Sequence, residues 1–260
     1  MAQSHSTQIL DMQIIEELLS FADDGDPAMV EPGPQNFEPC LPEDLLGQLN
    51  DVERKNAPQR LFVAGDVELL RSGRRIAVVG TRGPTPEGIE RTKALAAALA
   101  RRGITVVSGL AKGVDTCAHE TAMAVGGRTI AVLGTPLDVA YPAENRALQS
   151  RIMREHVAVS QFAPGTRAGA KGFPLRNRTM ALLSDATIIV EAGEGSGTLH
   201  QGWEALRLGR PLLLLESLVQ RTDLTWPREM LGFGAEVLSR ENLEESLAEI
   251  PGRTRSELAF

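Results

Sequence analysis

From Arg75 to Leu215, short runs of β-branched and aliphatic residues alternate with longer Ala-rich stretches of helical periodicity. That alternation leaves few folds open. A chain that repeats strand, helix, strand lays its strands side by side in parallel, because each crossover helix returns it to the same end of the sheet. The pattern predicts strands at Ile76–Val79, Thr105–Ser108, Thr129–Leu133, Val157–Gln161, Ala186–Glu191 and Pro211–Leu215. Helices are expected over Pro86–Arg102, Val114–Val125, Ala143–Arg154, Leu175–Ser184 and Thr198–Leu208. A further strand, Arg60–Ala64, precedes the repeat and ends in the Gly65-Asp66 turn.

The expected fold class is therefore α/β: a Rossmann-like, doubly wound, mainly parallel sheet with a short helical or extended N-terminal appendage. A length of 260 residues suits one such domain and little more. The expected division is an acidic extension with short helices over residues 1–55, a core over 56–250 and a tail over 251–260. Within the extension, residues 11–21 have amphipathic helical spacing, and 22–42 are rich in acidic residues, Pro and Gly, as in a linker or wrapping segment. A second short helix is expected over Pro42–Asn50.

Composition excludes several functions. No apolar run approaches the roughly 18–20 residues that span a bilayer, and the first residues lack the basic and apolar regions of a secretory signal, so a cytoplasmic location is expected. The two cysteines, Cys40 and Cys117, are too far apart in sequence to suggest a disulfide framework or a structural zinc site, and no metal or cofactor is expected. The net charge of −7 is unevenly spread: residues 61–215 hold 19 Lys and Arg against 13 Asp and Glu, whereas residues 1–60 hold 3 against 12. A basic middle behind an acidic front is compatible with an anionic ligand on the middle.

In doubly wound sheets ligands gather outside the carboxyl ends of the strands, so four loops carry the candidates. Gly80-Thr81-Arg82-Gly83 follows the first core strand: glycine lets backbone N–H groups approach an anion, and Arg82 adds a fork of donors. The same residues also suit a plain tight turn. The second loop, Ser108-Gly109-Leu110-Ala111-Lys112-Gly113-Val114-Asp115, makes another phosphate cradle from two glycines, a hydroxyl and a lysine. Asp115 either caps a helix from Thr116 or touches a sugar or base, and His119 reads as a packing residue rather than a proton carrier. In the third, Arg176, Asn177 and Arg178 follow Phe173 at a helix start, which suits phosphates on the arginines and a base stacked on the ring. The alternative places Phe173 in the core and pairs the arginines with Asp185 or Glu191. The fourth, Gly193-Glu194-Gly195-Ser196-Gly197-Thr198, offers backbone and hydroxyl donors at a helix mouth, but without a Walker lysine or a GxGxxG it is neither a P-loop nor a typical dinucleotide site.

The ordered segments VGTR (79–82), SGLAKGVDTCAHETA (108–122), GGRTIAVLGTPLDVAYPAENRAL (126–148), FPLRNR (173–178) and ATIIVEAGEGSGTL (186–199) resemble the DprA/Smf family of DNA-processing proteins. The resemblance covers roughly residues 57–216. It implies binding of single-stranded DNA without sequence preference, homodimers, and transfer of the strand to a RecA-type recombinase during natural transformation. It also implies phosphate contacts from Arg82, Lys112, Arg176 and Arg178, with donors from Ser108, Gly109, Gly195 and Ser196, and no catalytic residue. The chain departs from the family in its short acidic front, in the absence of a winged-helix module after residue 216, and in the turn GSGTLHQ. That turn is similar to the LOG phosphoribohydrolases, although Gln201 stands where their glutamate would be. The alternative is therefore a nucleotide sensor or N-glycosidic hydrolase, whose charge-stabilising carboxylate would come from Glu191, Glu194 or Glu204.

Overall fold

The continuous apolar runs are buried on both faces, as strands of a parallel sheet covered by helices must be. The computed structural model describes residues 27–30, 37–167, 169 and 171–252. Its first elements are β1 (Ala28–Met29), β2 (Pro39–Cys40), α1 (Pro42–Leu46), α2 (Asp51–Asn56), β3 (Leu61–Gly65) and α3 (Glu68–Arg71). The repeating part follows as β4 (Arg75–Gly80), α4 (Pro86–Arg101), β5 (Thr105–Ser108), α5 (Val114–Ala124), β6 (Thr129–Leu133) and β7 (Val139–Ala140). A 3-10 turn, Ala143–Asn145, leads into α6 (Arg146–Glu155), β8 (Val157–Ser160), α7 (Gly172–Leu183) and β9 (Ala186–Glu191). The last elements are α8 (Thr198–Arg207), β10 (Leu212–Leu215), α9 (Glu216–Val219), α10 (Trp226–Gly232), β11 (Glu236–Leu238) and α11 (Leu243–Glu249).

One sheet runs in the order β11-β10-β9-β4-β5-β6-β8-β3-β2. Neighbours from β11 to β8 are parallel, and β3 and β2 join antiparallel at one edge. From β4 the chain steps outward through β5 and β6 to β8, then returns to lay β9 on the other flank of β4 and continues to β10. The direction of winding therefore reverses between β4 and β9, which opens a crevice beyond their carboxyl ends.

Alternate residues of each strand feed two cores. Ile76, Val78, Val106, Ile188 and Val190 pack beneath α4 and α5 with Leu95, Leu99 and Ala118, while Ala77, Val79, Val107, Ile189 and Leu214 face Met180, Trp226 and Met230. No described helix is long and apolar enough to cross a membrane.

The structure alters several local expectations. The helix expected over Pro42–Asn50 is two helices: Gly47 ends the first with a φ of 75°, and Asn50 caps the second through reciprocal 2.9 Å bonds with Glu53. The helix expected from Leu175 starts at Gly172, with Pro174 in its first turn, where a missing N–H costs nothing. The expected helix over 11–21 lies outside the described residues, as does about half of the expected linker, residues 22–26 and 31–36.

Candidate nucleic-acid interface

The loops after β4, β5 and β9 meet the first two turns of α7 around a cleft of about 240 Å³ at the β4–β9 reversal. Close backbone approach builds it. Glu191 O accepts from Thr81 N at 2.7 Å, and Thr81 O accepts from Val114 N at 3.2 Å, tying all three loops together. Two glycines make that approach possible. A Cβ on Gly80 would stand 2.6 Å from Val114 Cγ2, and one on Gly113, whose φ is 76°, would stand 2.5 Å from Thr81 O.

Arg176 and Asp115 form the floor. Arg176 is 7% exposed; its Nη1 donates to Val132 O at 3.3 Å, and its Nε has no hydrogen-bond partner among the described residues. The guanidinium lies on Gly109, where a Cβ would come within 1.3 Å of Nη1. Asp115 Oδ2 accepts from Gly109 N at 3.1 Å and Ala111 N at 3.4 Å. Burial pushes the Asp115 carboxyl up and the Arg176 guanidinium down, and each charge opposes the other's shift. Arg82, which also lines the cleft, pushes Arg176 further down, so two guanidiniums share a seat with one carboxylate.

Of the four cations expected to converge, the structure brings Arg82 and Arg176 together. Lys112 turns outward, its Nζ 3.3 Å from Glu144, and Arg178 Nε reaches Glu204 at 3.4 Å; neither lines the cleft. Helix geometry explains Arg178: two residues along α7 rotate a side chain by about 200°, away from the cleft and toward α8. The expected alternative pairing is also corrected, because Asp185 pairs with Arg75 and Glu191 is held by Thr85.

Ser108 is not a ligand donor. Its hydroxyl is fully buried and donates to Val78 O at 2.7 Å, because it belongs to β5 and faces β4. Asp115 does not cap a helix from Thr116: α5 starts at Val114, and the Asp115 side chain instead holds the loop that precedes it. In the β9–α8 turn, Ser196, Gly197 and Thr198 line the cleft, whereas Gly195, at a φ of 68°, stands outside it. Thr198 Oγ1 donates to Gly80 O at 2.9 Å, while Thr198 N, Leu199 N and His200 N have partners within the turn. The turn staples two loops as much as it offers donors.

Phe173 is half-buried and lines the cleft rather than entering the core. Its ring packs 5.2 Å from Tyr141 and rests on Gly134, where a Cβ would come within 2.6 Å. Asn177 Nδ2 donates to Gly197 O at 3.3 Å across the cleft wall. Thr81 also lines the cleft, with its Oγ1 accepting from Gly83 N. Gln201, which stands where the LOG glutamate would be, lines it too, as does His200, which the sequence did not single out; their spacing after Gly197 puts both on the first turn of α8.

The carboxylates wanted by an N-glycosidic hydrolase are engaged elsewhere. Glu191 accepts from Thr85 N and Oγ1 at the start of α4, Glu194 from Thr225 N, and Glu204 from Arg178 and Arg207. None lines the cleft. His119 is fully buried with Nδ1 2.6 Å from Thr129 Oγ1, and burial holds its pKa down to about 3, as fits a packing residue.

A family model described as DNA recombination-mediator protein A matches residues 38–250. The chain belongs to that family. Within the DNA recombination-mediator protein A family, the DNA processing protein DprA of Bacillus subtilis is 35% identical over 193 residues, which cover 74% of this chain and 65% of that protein. The X-ray structure of DprA from Streptococcus pneumoniae matches with a TM-score of 0.71 at 32% identity, covering 84% of this chain and 75% of that one. A DprA structure from Helicobacter pylori, described for its single-stranded DNA binding mode, matches with a TM-score of 0.66 at 29% identity, covering 86% of this chain and 96% of that one. The resemblance drawn from the ordered motifs and the mainly parallel Rossmann-like sheet are both borne out by these matches. The chain spans about half to two thirds of the length of the curated relatives, at 65%, 51% and 61% for the first three.

Proposed function

We propose that this chain binds single-stranded DNA without sequence preference, seating backbone phosphate in the cleft between β4 and β9. Its family supports the reading, as does the description of the Helicobacter pylori relative. The observation that carries it is the surplus of positive charge: Arg82 and Arg176 line the cleft with Asp115 as the one acidic side chain among its described lining residues. Phe173, backed by Tyr141, adds an aromatic face on which a base stacks, a contact indifferent to sequence. Lys112 and Arg178 lie beside the seat: the Lys112–Glu144 pair, at 31% and 58% side-chain exposure, is open enough for an incoming phosphate to compete for the lysine, whereas Arg178 shares the largely buried Glu204 with Arg207. The family relationship supports action in DNA uptake and recombination, and the same reading extends to a cytoplasmic homodimer that hands the strand to a RecA-type recombinase.

Fluorescence anisotropy with a labelled thymidine oligomer at several salt concentrations tests the binding. Replacing Arg82 by Ala is expected to weaken binding similarly across sequences and to flatten the slope of log affinity against log salt by about one unit. No binding by the unaltered chain at low salt would remove the proposal.

A further inference from the structure

Helix α4 follows β4, the strand at which the winding reverses, and in doubly wound sheets the N-terminus of such a helix holds the phosphate of a bound nucleotide. Here a carboxylate of the chain itself sits on that helix end. Glu191 Oε1 accepts from Thr85 N at 2.9 Å, and Oε2 accepts from Thr85 Oγ1 at 2.8 Å. Thr85 is the N-cap of the 16-residue α4, and its Oγ1 in turn accepts from Gly88 N at 3.0 Å. Gly88 makes the approach possible, because a Cβ there would overlap Glu191 Oε2. Thr85 caps the helix in the ordinary way by itself, so the carboxylate is an addition to a helix end already satisfied.

The same residue takes a further donor. Its carbonyl accepts from Thr81 N at 2.7 Å, and Gly83 N donates to Thr81 Oγ1 at 3.3 Å, so Thr81, Gly83, Thr85 and Gly88 all commit their N–H groups within the protein. The neighbouring loop behaves alike: Asp115 Oδ2 accepts from Gly109 N and Ala111 N, and Thr81 O from Val114 N. An anion in the cleft therefore meets side-chain charge, on Arg82 and Arg176, in place of these backbone donors. At about 240 Å³ the cleft is also smaller than the roughly 300–1,000 Å³ of pockets that enclose a small ligand. Two guanidiniums hold a lone phosphate weakly, whereas a strand brings linked phosphates, each raising the effective concentration of the next.

We propose that Glu191 is a specificity determinant: with its carboxylate on the first turn of α4 and its carbonyl on the β4–α4 loop, it denies free nucleotides a phosphate seat and reserves the cleft for a strand. The inference rests on the DNA-binding reading above. A free nucleotide has to displace a carboxylate that is part of the chain, and its own negative charge is repelled by the one already there. Selectivity of this kind comes from a built-in obstacle to the wrong ligand as well as from contacts to the right one.

The test titrates adenosine monophosphate and, separately, a labelled thymidine oligomer into the unaltered chain, Glu191→Ala, Glu191→Gln and Glu87→Gln. Glu191→Ala vacates the seat and uncovers Thr85 N. Glu191→Gln keeps the side-chain shape and removes the charge, so it decides the matter if the alanine variant does not fold. Glu87, exposed in the same first turn of α4, controls for net charge. Glu191→Ala is expected to bind the mononucleotide roughly tenfold more tightly than the unaltered chain, the worth of one charge-assisted hydrogen bond, with Glu191→Gln between them and Glu87→Gln unchanged. No gain in either folded Glu191 variant, with the oligomer still bound, overturns the exclusion and leaves DNA binding intact, as does an equal gain in Glu87→Gln. If no chain binds the oligomer while the Glu191 variants gain the mononucleotide, the DNA reading fails and the blocked phosphate seat stands.

Discussion

Gly109 is the residue on which the cleft floor depends most directly. The Arg176 guanidinium lies where a side chain at 109 would be, so a Gly109→Ala methyl must displace it. Losing one charge-assisted contact costs about 1.5 kcal/mol, so the variant is expected to bind the thymidine oligomer roughly tenfold more weakly, whereas Gly232→Ala, which meets open space, leaves binding unchanged. His119 gives a second prediction, on stability. Its folded pKa of about 3 lies below the ordinary 6.5, so the unfolded chain binds the extra proton between those values and stability falls as pH drops through that window. The His119 contribution lost between pH 7 and pH 5 is about 2 kcal/mol, measurable by urea denaturation. His119→Asn, which keeps a donor toward Thr129, is expected to flatten that slope. At this scale the sequence was only partly legible. Residue types at the strand ends pointed to Arg82, Asn177, Phe173 and Thr198, but nothing in the spelling of FPLRNR separates the arginine that faces the floor from the one two positions on that faces α8. Ser108 was misread for a related reason: a strand's last residue points to one face or the other, and pairing, not composition, decides which.

Elements were more legible than side chains. Runs such as IAVV and TIIV supply two cores by alternation, and the chain between them is long enough for a crossover helix, so β4, β5, β6, β8, β9 and β10 follow from pattern alone. The short pieces do not. β1, β2, β7 and β11 are two or three residues long, with no period to detect, and exist because a neighbouring strand edge offers them hydrogen bonds. The capping of α2 by Asn50 and Glu53 was readable in principle, as an Asn followed three residues on by a Glu. At the opposite rim from the cleft, Asp185 Oδ2 accepts from Arg75 N at 2.8 Å while Asp185 N donates to Arg75 O at 2.7 Å, clamping β4 to β9 in the interior. Asp185→Ala strands the buried Arg75 guanidinium and is expected to cost about 3–5 kcal/mol in chemical denaturation.

For the whole molecule, charge distribution was informative where net charge misled. A protein of −7 looks ill suited to an anionic ligand, yet Arg82 and Arg176 line one cleft against a single carboxylate among its described lining residues, and the acidic front is a separate tract of sequence. The reversal of winding between β4 and β9 also sets an order of events. In a chain made from its N-terminus, β4 has a bare flank while β5, β6 and β8 are being added, and that flank closes only when β9 arrives more than a hundred residues after β4 begins. The same arrival delivers Ser196, Gly197 and Thr198 to the crevice. A nascent chain therefore cannot acquire a finished cleft before its central strand is protected from pairing with another molecule: completion of the cleft and removal of an aggregation-prone edge are one step.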